Sequence, residues 1–274
     1  LAAVSGNKAE VYPVMNLGED EFENVTGFLS RFPNIRHDLI NKTHHKTRVV
    51  NLFYKDKGSV LNLSAKKTYD REENSTEPTL QVEYEQIKEL LNGFTGILVN
   101  MVSGIDLTID TLLRLRRNFG GYIHMDLHNL VMQTFPDGAR KQMPVRDWRK
   151  WVECCDTLQM NESEISVLTG DNVTEYETAE KILSSGRVKS LVITRGMQGV
   201  SLYELKEKTS EYNDREKHFE LDKRDVPPVE SPDFIDSTGC GDVFASGFFF
   251  QNALSDKKDF SKSLHFANRL AGVN

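Results

Sequence analysis

Apolar residues along the chain recur with two different spacings, and segments of the two kinds alternate for most of its length. Repeats at every third or fourth position predict helices at residues 19–31, 84–91, 107–119, 148–154 and 175–183. Short apolar runs predict strands at residues 97–99, 121–125, 157–160 and 190–194. Strands that alternate with helices are typical of a parallel sheet covered by helices. The pattern therefore predicts an α/β fold.

Two stretches interrupt this alternation. Residues 47–54 and 58–63 read as two strands around a turn, and the polar residues that follow, 66–77, read as a loop. Strand-like runs at 199–205 and 218–221 are separated by a charged segment, 206–211, which we expect to be a solvated hairpin tip. A hairpin is too small to be stable alone, so residues 43–65 are expected to lie on a larger body. No internal repeat is visible, and we expect residues 1–274 to form a single domain.

Composition narrows the class of protein. Hydrophobic residues make up 38% and charged residues 27% of the 274 positions, which is typical of a soluble globular protein. The net charge of −7 argues against nucleic-acid binding, because the phosphate backbone repels an acidic surface. Apolar runs are shorter than the ~20 residues of a membrane helix, so no membrane association is expected. The three cysteines form no Cys-x-x-Cys pair, which favours free thiols and a cytoplasmic location.

The segment with the clearest chemistry is residues 236–242, Asp-Ser-Thr-Gly-Cys-Gly-Asp, which precedes the apolar run 243–250. Gly239 and Gly241 allow the backbone to bring N–H groups close to an anion. The apolar run predicts a buried helix whose amino end directs its free N–H groups and its positive dipole end to the same place. Asp242 stands where it can take the proton of an attacking hydroxyl. An ordinary loop with a helix cap explains Gly-x-Gly-Asp alone equally well.

The longer pattern is more specific. Asp-Ser-Thr-Gly-Cys-Gly-Asp-x-Phe-x-x-Gly-Phe resembles the C-terminal signature of the ribokinase-like sugar kinases, also called the phosphofructokinase B (PfkB) family. The resemblance implies a three-layer α/β/α sandwich with a mainly parallel central sheet and a small β-strand lid at about residues 43–65. It implies Asp242 as catalytic base in contact with the substrate, and the backbone of Gly239, Cys240 and Gly241 as the anion hole. The family usually has Ala or Gly at position 240, a difference that a hole built from backbone N–H groups should tolerate.

Further segments follow in the order of the family. Asn161 and Glu164 resemble its Asn-x-x-Glu motif, which implies that Asn161 contacts the phosphates of ATP and that Glu164 holds Mg²⁺ through water. The same pair also fits a helix capping box. Residues 192–200 resemble the nucleotide-binding strand–turn–strand, with Thr194, Gly196 and Gly199 against ATP, although a glycine-containing hairpin turn reads the same way.

The resemblance assigns weaker roles to four other residues. Asn268 corresponds to an Asn beside the adenine pocket, and Asp236 and Thr238 to a possible site for a monovalent cation such as K⁺. Asp126 stands where the family has a strand-end Asp near the reacting centre, but the usual Asp-x-Asn-x-Arg pattern is absent, so contact with the substrate is one option and a loop cap the other. The family's first strand, its Gly-Gly…Asn segment and its last strand are expected to be missing from this chain. Lid strands in the family often pair between subunits, which implies a possible homodimer.

These features lead to one functional hypothesis and two alternatives. The hypothesis is an ATP-dependent kinase that phosphorylates a hydroxyl of a small sugar-like substrate, using Mg²⁺. Ribose, fructose, a keto-deoxy acid, a sugar phosphate and a nucleoside all stay open, with a preference for an uncharged sugar because few basic residues fall in the substrate regions. One alternative is a catalytically inactive nucleotide- or sugar-binding regulatory protein on the same fold. The other is a dinucleotide oxidoreductase, for which the expected Gly-rich turn near the amino terminus is not found.

Overall fold

A computed structural model describes residues 1–54, 71–75, 80–136, 139–170, 173–209, 217–229 and 239–272. The helices are α1 (Ala2–Ser5), α2 (Phe22–Leu29), α3 (Tyr84–Ile87), α4 (Ile109–Asn118), α5 (Trp148–Val152), α6 (Glu162–Leu168), α7 (Glu175–Leu183), α8 (Cys240–Ala253) and α9 (Phe260–Ala271). The strands are β1 (Met15–Gly18), β2 (Ile40–Thr43), β3 (Val50–Tyr54), β4 (Arg71–Ser75), β5 (Gly96–Asn100), β6 (Tyr122–Asp126), β7 (Met132–Thr134), β8 (Arg140–Gln142), β9 (Thr157–Asn161), β10 (Ser190–Thr194), β11 (Val200–Thr209) and β12 (Lys217–Val226).

Six strands form the central sheet, in the order β12-β11-β10-β9-β6-β5. The four strands β10, β9, β6 and β5 pair in parallel, and β11 and β12 extend the sheet as antiparallel strands. The predicted α/β class with a mainly parallel sheet is therefore confirmed. The strands predicted around residues 97–99, 121–125, 157–160 and 190–194 are the four parallel ones.

The sheet is buried on both faces. Leu191, Val192 and Ile193 in β10 all have 0% of their surface exposed, although successive side chains of a strand point to opposite faces. Leu191 and Ile193 belong to the core that α4, α5, α6 and α7 cover. Val192 belongs to a second core, which contains Phe244 and Phe248 of α8 and part of α9. Helices on both faces give the three layers that the resemblance implies.

Smaller two-stranded sheets lie outside the central one. The strands β1 and β2 pair in parallel, whereas β3 pairs with β4 and β7 with β8 in antiparallel fashion. The strand β4 corrects the prediction that residues 66–77 form a loop. Its sequence, Arg-Glu-Glu-Asn-Ser, has no alternation of apolar residues that would predict a strand. The segment forms a strand because its backbone pairs with β3. Residues 55–70, which include the predicted strand 58–63 and much of the predicted lid, lie outside the described residues.

The hairpin β11–β12 also differs from expectation. Its ladder continues from Val200 opposite Val226 to Thr209 opposite Lys217, so residues 206–209 are part of a strand rather than of a hairpin tip. Charged side chains on paired strands can point into solvent, while the backbone of the same residues makes the hydrogen bonds of the sheet. Across the described ranges, the helices are all too short or too polar to cross a membrane.

Candidate active site

The carboxyl ends of the parallel strands meet at one edge of the sheet and carry polar side chains. Asn100 ends β5, Asp126 ends β6 and Asn161 ends β9. The register places Asn100 opposite Asp126, Asp126 opposite Gln159, and Asn161 opposite Thr194. Open α/β sheets bind ligands in the crevice beyond these strand ends. This edge is therefore the candidate site.

Helix α8 begins at the same edge. Gly239 precedes it with a φ of 82°, in the left-handed region that favours glycine, and has no side chain with which to cap the helix. Cys240 is half-buried, whereas Gly241 and Asp242 are exposed. The first N–H groups of a helix have no partner within it, and they add to the positive end of its dipole. The residues predicted as an anion hole thus occupy the open amino end of a helix of 14 residues.

Asp242 lies in the first turn of α8 and reaches the end of β5. The side-chain amide of Asn100 donates a hydrogen bond of 2.6 Å from Nδ2 to Oδ1 of Asp242. Asp242 is itself exposed, so its carboxyl group is accessible to a ligand while one oxygen is held. Sequence reasoning did not identify Asn100. The signal was present, because Asn100 follows the apolar run 97–99 as Asp126 follows the run of β6.

Gln159 makes a second connection between the sheet and α8, and it too escaped the sequence prediction. Its Nε2 donates one hydrogen bond of 3.1 Å to Oδ2 of Asp126 and another of 3.1 Å to the backbone oxygen of Gly241. Only 2% of Gln159 is exposed. The amide therefore joins the end of β6 to the first turn of the helix from inside the protein.

Asp126 is buried beneath the site. Burial is the main cause that raises the pKa of its carboxyl group well above the ordinary value, and the negative charges of Glu164 and Asp242 raise it further. Asp126 is thus brought close to the predicted base and to the predicted Mg²⁺ residue. Its carboxyl group accepts hydrogen bonds from the side chain of Gln159 and from the backbone N–H of His128, two residues further on, which is the pattern of a loop cap; contact with the substrate stays a prediction.

Asn161 and Glu164 form the capping box at the start of α6. Oδ1 of Asn161 accepts from the backbone N–H groups of Ser163 and Glu164, while the Glu164 carboxylate accepts from the backbone N–H and the Nδ2 of Asn161, each at 2.7 Å. Burial raises the pKa of Glu164 to about 7, against the opposing effect of the Asn161 backbone N–H. Capping explains the local geometry, and it also fixes both side chains at the candidate site.

The segment that resembles a nucleotide-binding turn lies next to this box. Thr194 ends β10, a 3-10 turn spans Gly196–Gln198, and Gly199 begins the return into β11. Gly196 and Gly199 have φ values of 53° and 85°. A Cβ on Gly199 would lie 2.1 Å from the backbone oxygen of Val226, so this turn requires glycine for close backbone packing.

Arg195 holds the same turn in place through its side chain. Its Nη2 donates a hydrogen bond of 2.5 Å to Oε1 of Glu175, at the start of α7, and its Nε donates one of 3.1 Å to the hydroxyl of Ser201 in β11. Glu162 lies 3.8 Å from the guanidinium group. The positive charge of Arg195 is therefore paired within the protein.

The remaining predicted residues are less closely tied to the site. Asn268 lies in α9, and its Nδ2 donates a hydrogen bond of 2.8 Å to the backbone oxygen of Pro227. This bond fastens α9 to the segment after β12. Asp236 and Thr238, the predicted monovalent-cation residues, lie outside the described residues.

The donor set has the chemistry for a hydrated Mg²⁺. Asp126, Glu164 and Asp242 carry hard oxygen atoms; burial first, and then the charges of the other two, disfavour the anionic form of Asp126, which a nearby cation would favour. In the part of the chain that the structure describes, no three His, Cys, Asp or Glu side chains are arranged as a direct metal cage. Oxygen donors of this kind are compatible with an ion that keeps its water molecules, and the role of Glu164 in holding it stays a prediction.

Comparison with known families gives one match. The family model described as pfkB family carbohydrate kinase matches residues 125–274, which is more than half of the chain. This range includes every predicted site residue. No curated protein sequence matches the chain.

Solved structures match over nearly the whole chain. A ribokinase from Thermotoga maritima has a TM-score of 0.67 at 18% identity, covering 99% of this chain and 77% of its own. A putative ribokinase II from E. coli in complex with ATP and Mg²⁺ has a TM-score of 0.64 at 17% identity, covering 99% and 78%. A pyrophosphate-dependent kinase in the ribokinase family, in a sulfate complex, has a TM-score of 0.71 at 16% identity, covering 99% and 83%. Identities this low show the shared fold.

Proposed function

This chain belongs to the pfkB family of carbohydrate kinases, and from that premise we propose that it transfers the γ-phosphoryl group of ATP to a hydroxyl of a small, uncharged, sugar-like substrate. The observation that carries the proposal is the position of Asp242. It is exposed in the first turn of α8, and Asn100 holds its Oδ1 at 2.6 Å. A carboxylate at this place supplies a base for the substrate hydroxyl. The free N–H groups at the same end of the helix can stabilise the phosphoryl group that the hydroxyl oxygen attacks.

Asp242 is the proposed general base. Its free oxygen accepts the proton of the substrate hydroxyl as that oxygen attacks the γ-phosphorus, while Asn100 keeps the other oxygen in place. The backbone N–H groups of Gly239, Cys240 and Gly241 stabilise the charge that spreads over the phosphoryl oxygens. Positioning and electrostatics of this kind supply most of the catalysis in phosphoryl transfer.

Asn161 and Glu164 are proposed to serve the phosphates and the metal ion. Glu164 holds Mg²⁺ through its water molecules, and the bound ion supplies charge neutralisation between the phosphate groups. Asn161 contacts a phosphate oxygen through its side-chain amide. The backbone of Thr194, Gly196 and Gly199 provides the surface against which the nucleotide lies, and Asn268 lines the adenine end.

The charge of the site supports an uncharged acceptor. Asp242 is the exposed acidic side chain of the site, whereas the positive charge of Arg195 is paired with Glu175. An acceptor with its own phosphate or carboxylate would face this acidic group. A neutral sugar or polyol can donate its hydroxyl groups to the same oxygens.

The proposal is tested by measuring product formation with a panel of acceptors and two donors. The acceptors are sugars, sugar phosphates, sugar acids, nucleosides and myo-inositol, and the donors are Mg²⁺-ATP and Mg²⁺-pyrophosphate. Pyrophosphate and myo-inositol are included because a structurally similar kinase is described with a pyrophosphate analogue and myo-inositol. We expect ADP and one phosphorylated neutral acceptor.

Three results would contradict parts of this proposal. Transfer from pyrophosphate but not from ATP would overturn the donor. A preference for sugar phosphates or sugar acids would overturn the neutral acceptor. ATP binding, measured by calorimetry, without turnover of any acceptor would instead favour a regulatory protein on the kinase fold.

A further inference from the structure

Gln159 lies at the junction between the sheet and the start of α8. We propose that it is a positioning residue, which holds the first turn of α8 in the geometry that the anion hole requires; this inference rests on the proposed function. Its Nε2 donates to the backbone oxygen of Gly241, inside the turn, and to Oδ2 of Asp126, at the end of β6.

The chemistry of the two partners matches a primary amide. A side-chain amide has two N–H donors on one nitrogen, and here both meet acceptors, a backbone carbonyl and a carboxyl oxygen. A Glu at position 159 has the same length but no N–H donor, so it would place a third acceptor beside the Gly241 backbone oxygen and the Asp126 carboxyl group. With 2% of Gln159 exposed, water cannot readily replace either bond.

The turn itself needs an external support. It contains Gly239 and Gly241, which have more backbone freedom than other residues, and Gly239 supplies no side-chain cap. Donors that stabilise a transition state work best when they are already oriented before the reaction. The Gln159 bond holds the backbone oxygen of Gly241 to the strand β9 from a buried side chain.

Thr157 offers a matched control two residues earlier on the same face of β9. Its Oγ1 makes two buried hydrogen bonds, of 2.6 Å with the hydroxyl of Tyr122 and of 2.7 Å with Nδ1 of His124. His124 in turn packs against Phe248 of α8, so Thr157 supports the middle of the helix rather than its first turn. Gln159→Met and Thr157→Val each remove two hydrogen bonds of a buried side chain with little change in its shape.

The first readout is amide hydrogen exchange of the unliganded protein, which requires no substrate. Loss of the Gln159 bond to Gly241 should speed exchange in the peptide covering residues 241–246 about five- to tenfold, the factor that corresponds to one net hydrogen bond. Thr157→Val should leave this peptide within about twofold of the wild type. If Gln159→Met folds poorly, as judged by thermal unfolding, Gln159→Glu keeps the size and polarity of the side chain and is expected to produce the same increase.

The second readout is steady-state kinetics with the acceptor that the panel identifies. We expect Gln159→Met to lower kcat by about 10- to 100-fold with KM for ATP changed by less than about threefold, because a displaced turn affects groups that act in the transition state. Unchanged exchange at residues 241–246 would overturn the proposal, as would a higher KM with an unchanged kcat. If the wild type phosphorylates no acceptor, the proposed function fails, while the exchange result still decides whether Gln159 holds the turn.

Discussion

Asn100 and Asp242 are separated by 142 positions in the sequence, yet the Nδ2 of one donates a 2.6 Å hydrogen bond to the Oδ1 of the other. The contact joins the edge strand of the central sheet to the first turn of α8. It restricts the carboxyl group of Asp242 to a small range of orientations. A base that is held in this way loses less entropy when the substrate hydroxyl meets it.

Replacement of Asn100 by Ala tests this contact. Hydrogen bonds to charged groups contribute about 1.5–3 kcal/mol, so we expect kcat to fall about 10- to 100-fold with little change in KM. Asn118→Ala is the control, because the Asn118 side chain only bonds to the Arg114 backbone oxygen at the end of α4. An increase in KM for the acceptor with an unchanged kcat would show that Asn100 binds the substrate instead of orienting the base.

Glu164 makes stability depend on pH. Its pKa in the folded protein is about 7, above the ordinary 4.5, so the folded state keeps a proton that the unfolded state releases between these values. The contribution of Glu164 to the free energy of unfolding therefore falls as pH rises from about 4.5 to about 7 and is level above that range. Glu164→Gln preserves the capping box and should remove this decrease, on the order of 3 kcal/mol at about 1.4 kcal/mol per unit of pKa.

Chemical denaturation of both proteins from pH 4 to pH 8 measures the effect. Glu177→Gln is the matched control, because Glu177 occupies the same capping-box position in α7 but is exposed. Hydrogen bonds from Thr174 lower the pKa of Glu177, so its contribution is lost only at acidic pH. Parallel stability curves for the wild type and Glu164→Gln would refute the assignment.

Gly199 gives a prediction for the nucleotide-binding turn. A methyl group there would meet the Val226 backbone oxygen at 2.1 Å, in addition to the positive φ of 85°. Gly186→Ala is the control. Gly186 follows α7 and has a similar φ of 78°, but no described atom lies within 4 Å of an added Cβ. We expect Gly186→Ala to cost about 1–2 kcal/mol of stability and Gly199→Ala more. Gly199→Ala alone should also raise KM for ATP, and equal KM values in the two variants would contradict a role for this turn.

Cys240 is expected to contribute through its backbone. Since the anion hole is proposed to consist of N–H groups, Cys240→Ala should keep kcat within about threefold of the wild type. Cys240→Asp, which places a negative charge beside the phosphoryl group, should lower kcat strongly. Loss of activity in Cys240→Ala, with normal thermal unfolding, would mean that the thiol itself takes part.

The sequence predicted the elements that have a strong hydrophobic pattern. Helix α7 and strand β10 have the predicted limits, 175–183 and 190–194, because each is bounded by turn residues and is buried on one or both sides. Strand β4 was missed because its polar residues form a strand only through pairing with β3. Local sequence has no information about such a partner.

The same limit applies to the candidate site. The glycine-rich turn and Asp242 were predicted because their chemistry lies in one continuous segment. Asn100 and Gln159 were not, since each is a single polar residue in a strand, and their importance comes from contacts with Asp242 and Gly241 more than 80 residues away. Only the register of the parallel strands brings these side chains together.

The most direct test of the account compares Asp242→Asn with the wild type. Asp110→Asn is the control, since Asp110 is likewise an exposed aspartate in the first turn of a helix, α4. We expect Asp242→Asn to lower kcat by about 10²- to 10⁴-fold, as for loss of a general base, while calorimetry shows ATP binding within about threefold of the wild type. Asp110→Asn should match the wild type in both. Near-normal turnover by Asp242→Asn would show that Asp242 is not the base.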